Sequence, residues 1–211
     1  MTDAPTPPNA WLQDCRGLLG KYRAHAEHAE KVARLADGLF TVTRDFNGLA
    51  DVDRVPLVAG ALLHDLGQVV GEAGHHRHGA WLVAHDEALA TWPEALRGDV
   101  AWLVLNHRKR KVRGERGLKA AGRDRLWRLA AILRLADVLD RAHDQRAAIH
   151  EVVVDAAEAR VTFTLSGVDL EALGAALPRK ARWAAEAWDA ELVFRCDASW
   201  VGVTPGGACD G

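Results

Sequence analysis

Apolar residues recur with a helical period along roughly the first two thirds of the chain and then change to alternation. Between Trp11 and Phe46 one face carries His28, Val32, Leu35, Ala36 and Leu39, spaced as a buried helical stripe. A second helix is predicted over Asp51–Asp65, with Leu57, Ala61, His64 and Asp65 near one stripe and Gly67 as its stop. The loop Gly71–Gly74 leads to His75, His76 and His78, then to a helix from about His78 to Leu89, and Pro93 opens another that runs to about His107. The cleanest stripe follows: Leu126, Leu129, Ala130, Leu133, Ala136, Asp137 and Asp140. Past His143 the period becomes two, so Ile149–Asp155 and Arg160–Leu165 read as strands joined by a turn at Ala156–Ala159. Asp169–Asp189 reads as a helix interrupted near Pro178, and Glu191–Arg195 as a final short strand. The expected fold class is mainly α: a helical bundle over 11–146 and a small α/β appendage over 147–196, with flexible ends at 1–10 and 197–211.

A length of 211 residues with 49% apolar composition is enough to bury a sizeable core. The net charge of -2 gives no general reason to expect nucleic acid or an anionic membrane as partner. Charge is uneven, however: Arg108–Arg125 holds nine cations against Glu115 and Asp124, and reads as a charged loop that starts directly after His107. Cys15, Cys196 and Cys209 are odd in number and far apart, which fits a reducing compartment rather than a disulfide framework. The polar, proline-rich start carries no export pattern, and no apolar run approaches the ~18 residues that span a bilayer. The expected location is cytoplasmic.

Within this pattern His64-Asp65 stands out, because two metal-capable side chains end an apolar run where burying them is costly. His28 and Asp137 occupy core positions of two other predicted helices, which is how a bundle assembles a metal site from inward-facing residues. Taken singly, each has a plainer reading. His28 is by default a core histidine bonded to backbone, and Asp137 by default pairs with Arg134 or Arg141. Those readings must hold together at four positions. Imidazole with carboxylate suits a divalent transition metal (Mn, Fe, Co, Ni or Zn) rather than calcium or magnesium. If His75 and His107 also reach the site, two ions can share Asp65, a geometry that clamps the attacking and leaving oxygens of a phosphate. His75 is preferred over His76 and His78 as the extra ligand, and one ion or two remain open.

The order His28, His64-Asp65, Asp137 resembles the HD-domain superfamily of metal-dependent phosphohydrolases. More narrowly, His28-Ala-Glu-Lys-Val-Ala, Leu62-Leu-His-Asp-Leu-Gly, His75-His-Arg-His-Gly-Ala, Asn106-His-Arg-Lys and Leu133-Arg-Leu-Ala-Asp-Val-Leu-Asp are similar to the C-terminal HD-like domain of the exopolyphosphatase/guanosine pentaphosphatase (Ppx/GppA) family. The likeness runs from about Trp11 to Arg195. In that family polyphosphate and pentaphosphate hydrolysis lies in actin-like domains for which this chain has no room, so exopolyphosphatase activity is not implied. Likeness to the two-metal HD-GYP phosphodiesterases extends the ligand set to His75 and His107; the GYP motif is missing, and so is the acidic pair that follows the HD motif in alarmone hydrolases.

The resemblance thus implies a phosphohydrolase acting on a nucleotide or small phosphate ester, with His28, His64, Asp65, His75, His107 and Asp137 as metal ligands. Asp65 is the expected catalytic group, orienting or deprotonating water. Arg108, Lys109, His78 and Arg141 are the expected substrate-binding groups, with Arg134 and Arg141 also placed to orient ligands from behind. No membrane or specific nucleic-acid partner is expected. HD-type bundles often form homodimers, although no stripe here marks an interface. The alternative is a non-catalytic module that binds a nucleotide or polyphosphate through the basic loop.

Overall fold

The computed structural model describes residues 8–108 and 119–206. Helix α1 spans Pro8–Tyr22 and α2 spans Ala26–Thr43, so the single periodic segment expected over Trp11–Phe46 is divided. The break lies at Arg23, whose backbone adopts a left-handed φ of 50°. The α2 stripe is buried as its spacing predicts, with His28, Val32, Leu35, Ala36 and Leu39 all inside. Helix α3, Arg54–Leu63, follows a short 3-10 turn at Asp51–Asp53 and ends directly before His64-Asp65.

Gly67 does not act as a helix stop. The chain continues through a 3-10 turn at Leu66–Val69, and a Cβ on Gly67 would lie 2.1 Å from the His75 carbonyl oxygen and 2.3 Å from the Gly79 nitrogen. Glycine is required there because two backbones touch. Helix α4 runs over His75–His85, three residues earlier at its start than the sequence pattern indicates and shorter at its end. Asp86 terminates it and caps a separate 3-10 turn, Glu87–Leu89, by accepting a hydrogen bond from the Ala88 amide. Helix α5, Glu94–Asn106, starts just after Pro93 and delivers His107 at its end, and α6 spans Ala120–Leu139.

The C-terminal part forms a four-stranded mixed sheet in the order β1-β2-β3-β4, with β1 at Ala148–Asp155, β2 at Arg160–Ser166, β3 at Glu191–Cys196 and β4 at Ser199–Val203. The outer pairs are antiparallel, whereas β2 and β3 are parallel and need a helical crossover. That crossover is α7, Leu170–Leu173, followed by α8, Ala176–Trp188. The expected interruption at Pro178 falls instead at Gly174, with φ 45°, while Pro178 sits in the first turn of α8, where it forfeits no helical hydrogen bond. Residues 199–203, expected within a frayed tail, form an edge strand because Asp197, at φ 52°, turns the chain back onto β3.

Helix α8 packs between the sheet and α6. Trp183 stacks on Trp127 of α6 at 4.4 Å, and the other side of α8 meets β3 and β4. One continuous apolar core therefore runs from the helical bundle, through α8, to Phe163, Leu192 and Phe194 of the sheet. Among the described residues no helix is long and apolar enough to cross a membrane.

Candidate metal centre

Four helices bring their chemistry to one place. His28 comes from α2, His64 and Asp65 from the end of α3, His75 from the first residue of α4 and His107 from the end of α5. Asp137, from α6, joins them with Oδ1 3.8 Å from His28 Nε2 and 3.9 Å from His64 Nε2. Asp65 lies between two groups. Its Oδ2 is 3.5 Å from His64 Nε2, while its Oδ1 is 3.1 Å from His75 Nε2 and 3.5 Å from His107 Nε2. The atoms of His28, His64 and Asp65, and those of Asp65, His75 and His107, are each close enough together to hold one ion.

The hydrogen bonds on the far side of each ring fix its tautomer. His64 Nδ1 faces the Ala61 carbonyl at 2.8 Å, His75 Nδ1 that of Glu72 at 3.0 Å and His107 Nδ1 that of Val104 at 2.7 Å. A carbonyl only accepts, so each of these nitrogens donates its proton and leaves Nε2 with a free lone pair. His28 Nδ1 donates in the same way to Asp140 Oδ2 at 2.8 Å. The Nε2 atoms of His28 and His64 are buried without a hydrogen-bond partner, and those of His75 and His107 face each other at 3.3 Å. Two imidazole lone pairs and a carboxylate oxygen pointing at one another repel unless a cation lies among them. The donor set therefore fits a borderline divalent metal.

Burial pushes His28 down to about 4, aided by the neighbouring His64, and burial likewise lowers His64 and His107 to about 4, which keeps the rings neutral, as ligation requires. A cleft of about 250 Å3 opens onto His28 and Asp65, with Arg23, His25 and Gln68 also on its wall. This is at the small end for ligand pockets, which are roughly 300–1,000 Å3.

The six ligand positions expected from sequence thus converge, and His75 rather than His76 or His78 is the histidine of α4 that reaches the cluster. His76 is buried with its ring edge-on to His75, and His78 is half-buried one turn along α4, outside both ligand groups. Arg108 lies beside the centre, its Nη1 3.1 Å from His75 Nδ1. That nitrogen cannot both donate to Glu72 and accept from Arg108, and ligation through Nε2 selects the first. Lys109 lies outside the described residues. Arg141 is exposed just past α6 and touches none of the ligands. Arg134 does not back Asp137 either: it donates to the Asn106 carbonyl at 2.8 Å and lies over the Trp183 ring.

Several groups at the centre escaped the sequence reading. Asp140 holds His28, the exposed ring of His143 stacks on His28 at 3.8 Å, and Gln68 donates to Asp65 Oδ2 at 2.5 Å. The partner of Asp137 is Lys180 of α8, in ion-pair contact with Oδ2. Burial, then the nearby Arg134, lowers Lys180 to about 7. Its signal was present: Leu177, Lys180, Ala181, Ala184 and Trp188 share one buried helical face, and a lysine there is out of pattern.

Comparison with known proteins agrees with this architecture. Residues 13–173 match the family described as Ppx/GppA phosphatase, domain III. The chain is also 31% identical over 102 residues to a guanosine-5'-triphosphate,3'-diphosphate pyrophosphatase of Pseudoalteromonas atlantica. That alignment takes in 46% of this chain and only 20% of the longer relative. With most of its length matched and its helices placed as described, the chain belongs to the Ppx/GppA phosphatase domain III family.

Proposed function

We propose that this protein is a metal-dependent phosphohydrolase acting on a nucleotide or other small phosphate ester. One observation carries the reading: four Nε2 lone pairs, each fixed by a hydrogen bond behind it, converge with oxygens of Asp65 and Asp137. His28, His64, Asp65 and Asp137 would hold one ion, and Asp65, His75 and His107 a second. A divalent ion in such a ligand set lowers the pKa of water toward neutrality and offsets phosphate charge.

The chain's own groups do the rest. Asp65, an ionised carboxylate between the two groups of histidines, orients water by accepting a hydrogen bond. Arg108, exposed beside His75, and Arg23, on the cleft wall, bring positive charge to the approach of a phosphate. The cleft is small for a ligand pocket, which suits a phosphate together with a compact adjoining group.

A second reading has support in the length of the match. The aligned stretch, 46% of this chain, corresponds to a fifth of a much larger pyrophosphatase, so a role as a phosphate-binding accessory module is the alternative. Elemental analysis of protein purified without chelator, combined with turnover of nucleoside mono-, di- and triphosphates, separates the two. The enzyme reading expects bound transition metal and hydrolysis that both vanish in Asp65→Ala, at a cost of at least about 100-fold in rate, above the loss typical of outer-shell changes. Full metal-dependent hydrolysis by Asp65→Ala would discard the proposed centre. Saturable binding without turnover, indifferent to chelator, would favour the module.

A further inference from the structure

The ion pair between Lys180 and Asp137 is placed where its stabilising value is small. Lys180 is only 8% exposed, on the face of α8 that packs against α6, between Leu177 and Ala181. Burying an ammonium there costs several kcal/mol in principle, and buried ion pairs are often replaced by apolar residues without loss of stability. A fold seeking only a tighter α6–α8 seam would use leucine.

The two oxygens of Asp137 have separate tasks. Oδ1 faces the unpartnered Nε2 atoms of His28 and His64, at 3.8 and 3.9 Å. Oδ2 is taken by Lys180 Nζ. Asp65 is also held by a neighbour, with Oδ1 toward His75 and His107 and with Oδ2, 3.5 Å from His64 Nε2, accepting from the Gln68 amide. His28, in turn, is held from behind by Asp140. The four histidines are thus held through Nδ1 and the two carboxylates through Oδ2.

We infer that Lys180 is a positioning residue of the metal centre: it fixes the carboxylate of Asp137 with Oδ1 turned to the ion, so that the centre is completed by the crossover helix of the C-terminal sheet. This rests on the metal reading above but reaches beyond the family match, which ends at residue 173, before α8 begins. Lys180 reaches the centre through Asp137. It acts by holding a ligand in register, the task that outer-shell partners perform at metal sites.

The test is the affinity of chelator-stripped protein for Mn2+ and Co2+ by isothermal titration, in wild type, Lys180→Met and Lys180→Arg. The expected result is a 10–100-fold weaker affinity at one site in Lys180→Met, with recovery to within a few-fold in Lys180→Arg, which can still donate to Asp137. Equal or tighter binding by Lys180→Met overturns the inference, since Lys180 would then be a bystander or a competitor of the metal. Binding absent already in the wild type removes the metal reading and this inference together. Hydrogen exchange on the wild type supplies a check that needs no variant: the amides of α8 should exchange more slowly once metal is added, and unchanged or faster exchange counts against the tie.

Discussion

The two halves of the centre share Asp65 but are supported in different ways. On the side of His28, His64 and Asp137, the backing groups include ionisable side chains, Asp140 behind His28 and Lys180 behind Asp137, drawn from α6, its C-terminal end and α8. On the side of His75 and His107, the backing groups are the carbonyls of Glu72 and Val104, each three residues before the ring it holds. The first half depends on tertiary packing across the whole molecule, whereas the second is built almost entirely by local chain geometry. A carboxylate behind a ligating histidine raises its basicity more than a carbonyl does, so the first half should be the tighter and the more sensitive to mutation.

The sharpest way to break this contrast is to remove one ligand from each half. His28→Ala and His107→Ala are each expected to release one ion and retain the other, read as metal per chain after gel filtration. Loss of all metal from either variant would mean a single ion shared by both halves. A smaller effect is expected from Asp140→Asn, which keeps an acceptor for His28 Nδ1 and removes the charge. Metal affinity should drop about 10-fold, at the low end for outer-shell changes, on the His28 side alone, measured by competition with a chromophoric chelator. An equal drop on both sides would erase the distinction.

The mildest probe is pH. His28, His64 and His107 have folded values lowered to about 4 from the usual 6.5, so between those limits the unfolded chain binds more protons than the folded one. The stability of stripped protein, full above pH 6.5, should therefore decline as pH falls through this window, with a Tm loss of at least about 5 °C by pH 4.5, given that about 1 kcal/mol moves Tm by 2–4 °C at this size. A flat Tm over that range would show that the rings are not held neutral by burial.

The candidate ligands His28, His64, Asp65, His107 and Asp137 stood out in the sequence because each ends or interrupts a helical apolar stripe, where an ionisable group has to be explained, whereas His75, at the start of α4, stood out only through the family resemblance. The backing groups were less so. Asp140 lies on the same stripe as Asp137 and could have been paired with His28 only by knowing how α2 crosses α6. Lys180 required reading a charge on a buried face in a segment whose helix was expected to break at Pro178. The division of Trp11–Phe46 at Arg23 left no apolar trace, since both helices keep their stripes and only a single φ changes sign. Likewise Gly67 reads as a helix stop in one dimension, and only the packed backbone reveals a different reason for it.

That backbone contact has a consequence for discrimination. Because the turn after Asp65 rests directly on the start of α4, with no side chain between them, packing holds the backbones that carry Asp65 and His75 at close range and leaves them little freedom to spread. Metals that differ little in their taste for imidazole differ in radius, and a centre built on closely packed backbones would sort them by size as well as by chemistry.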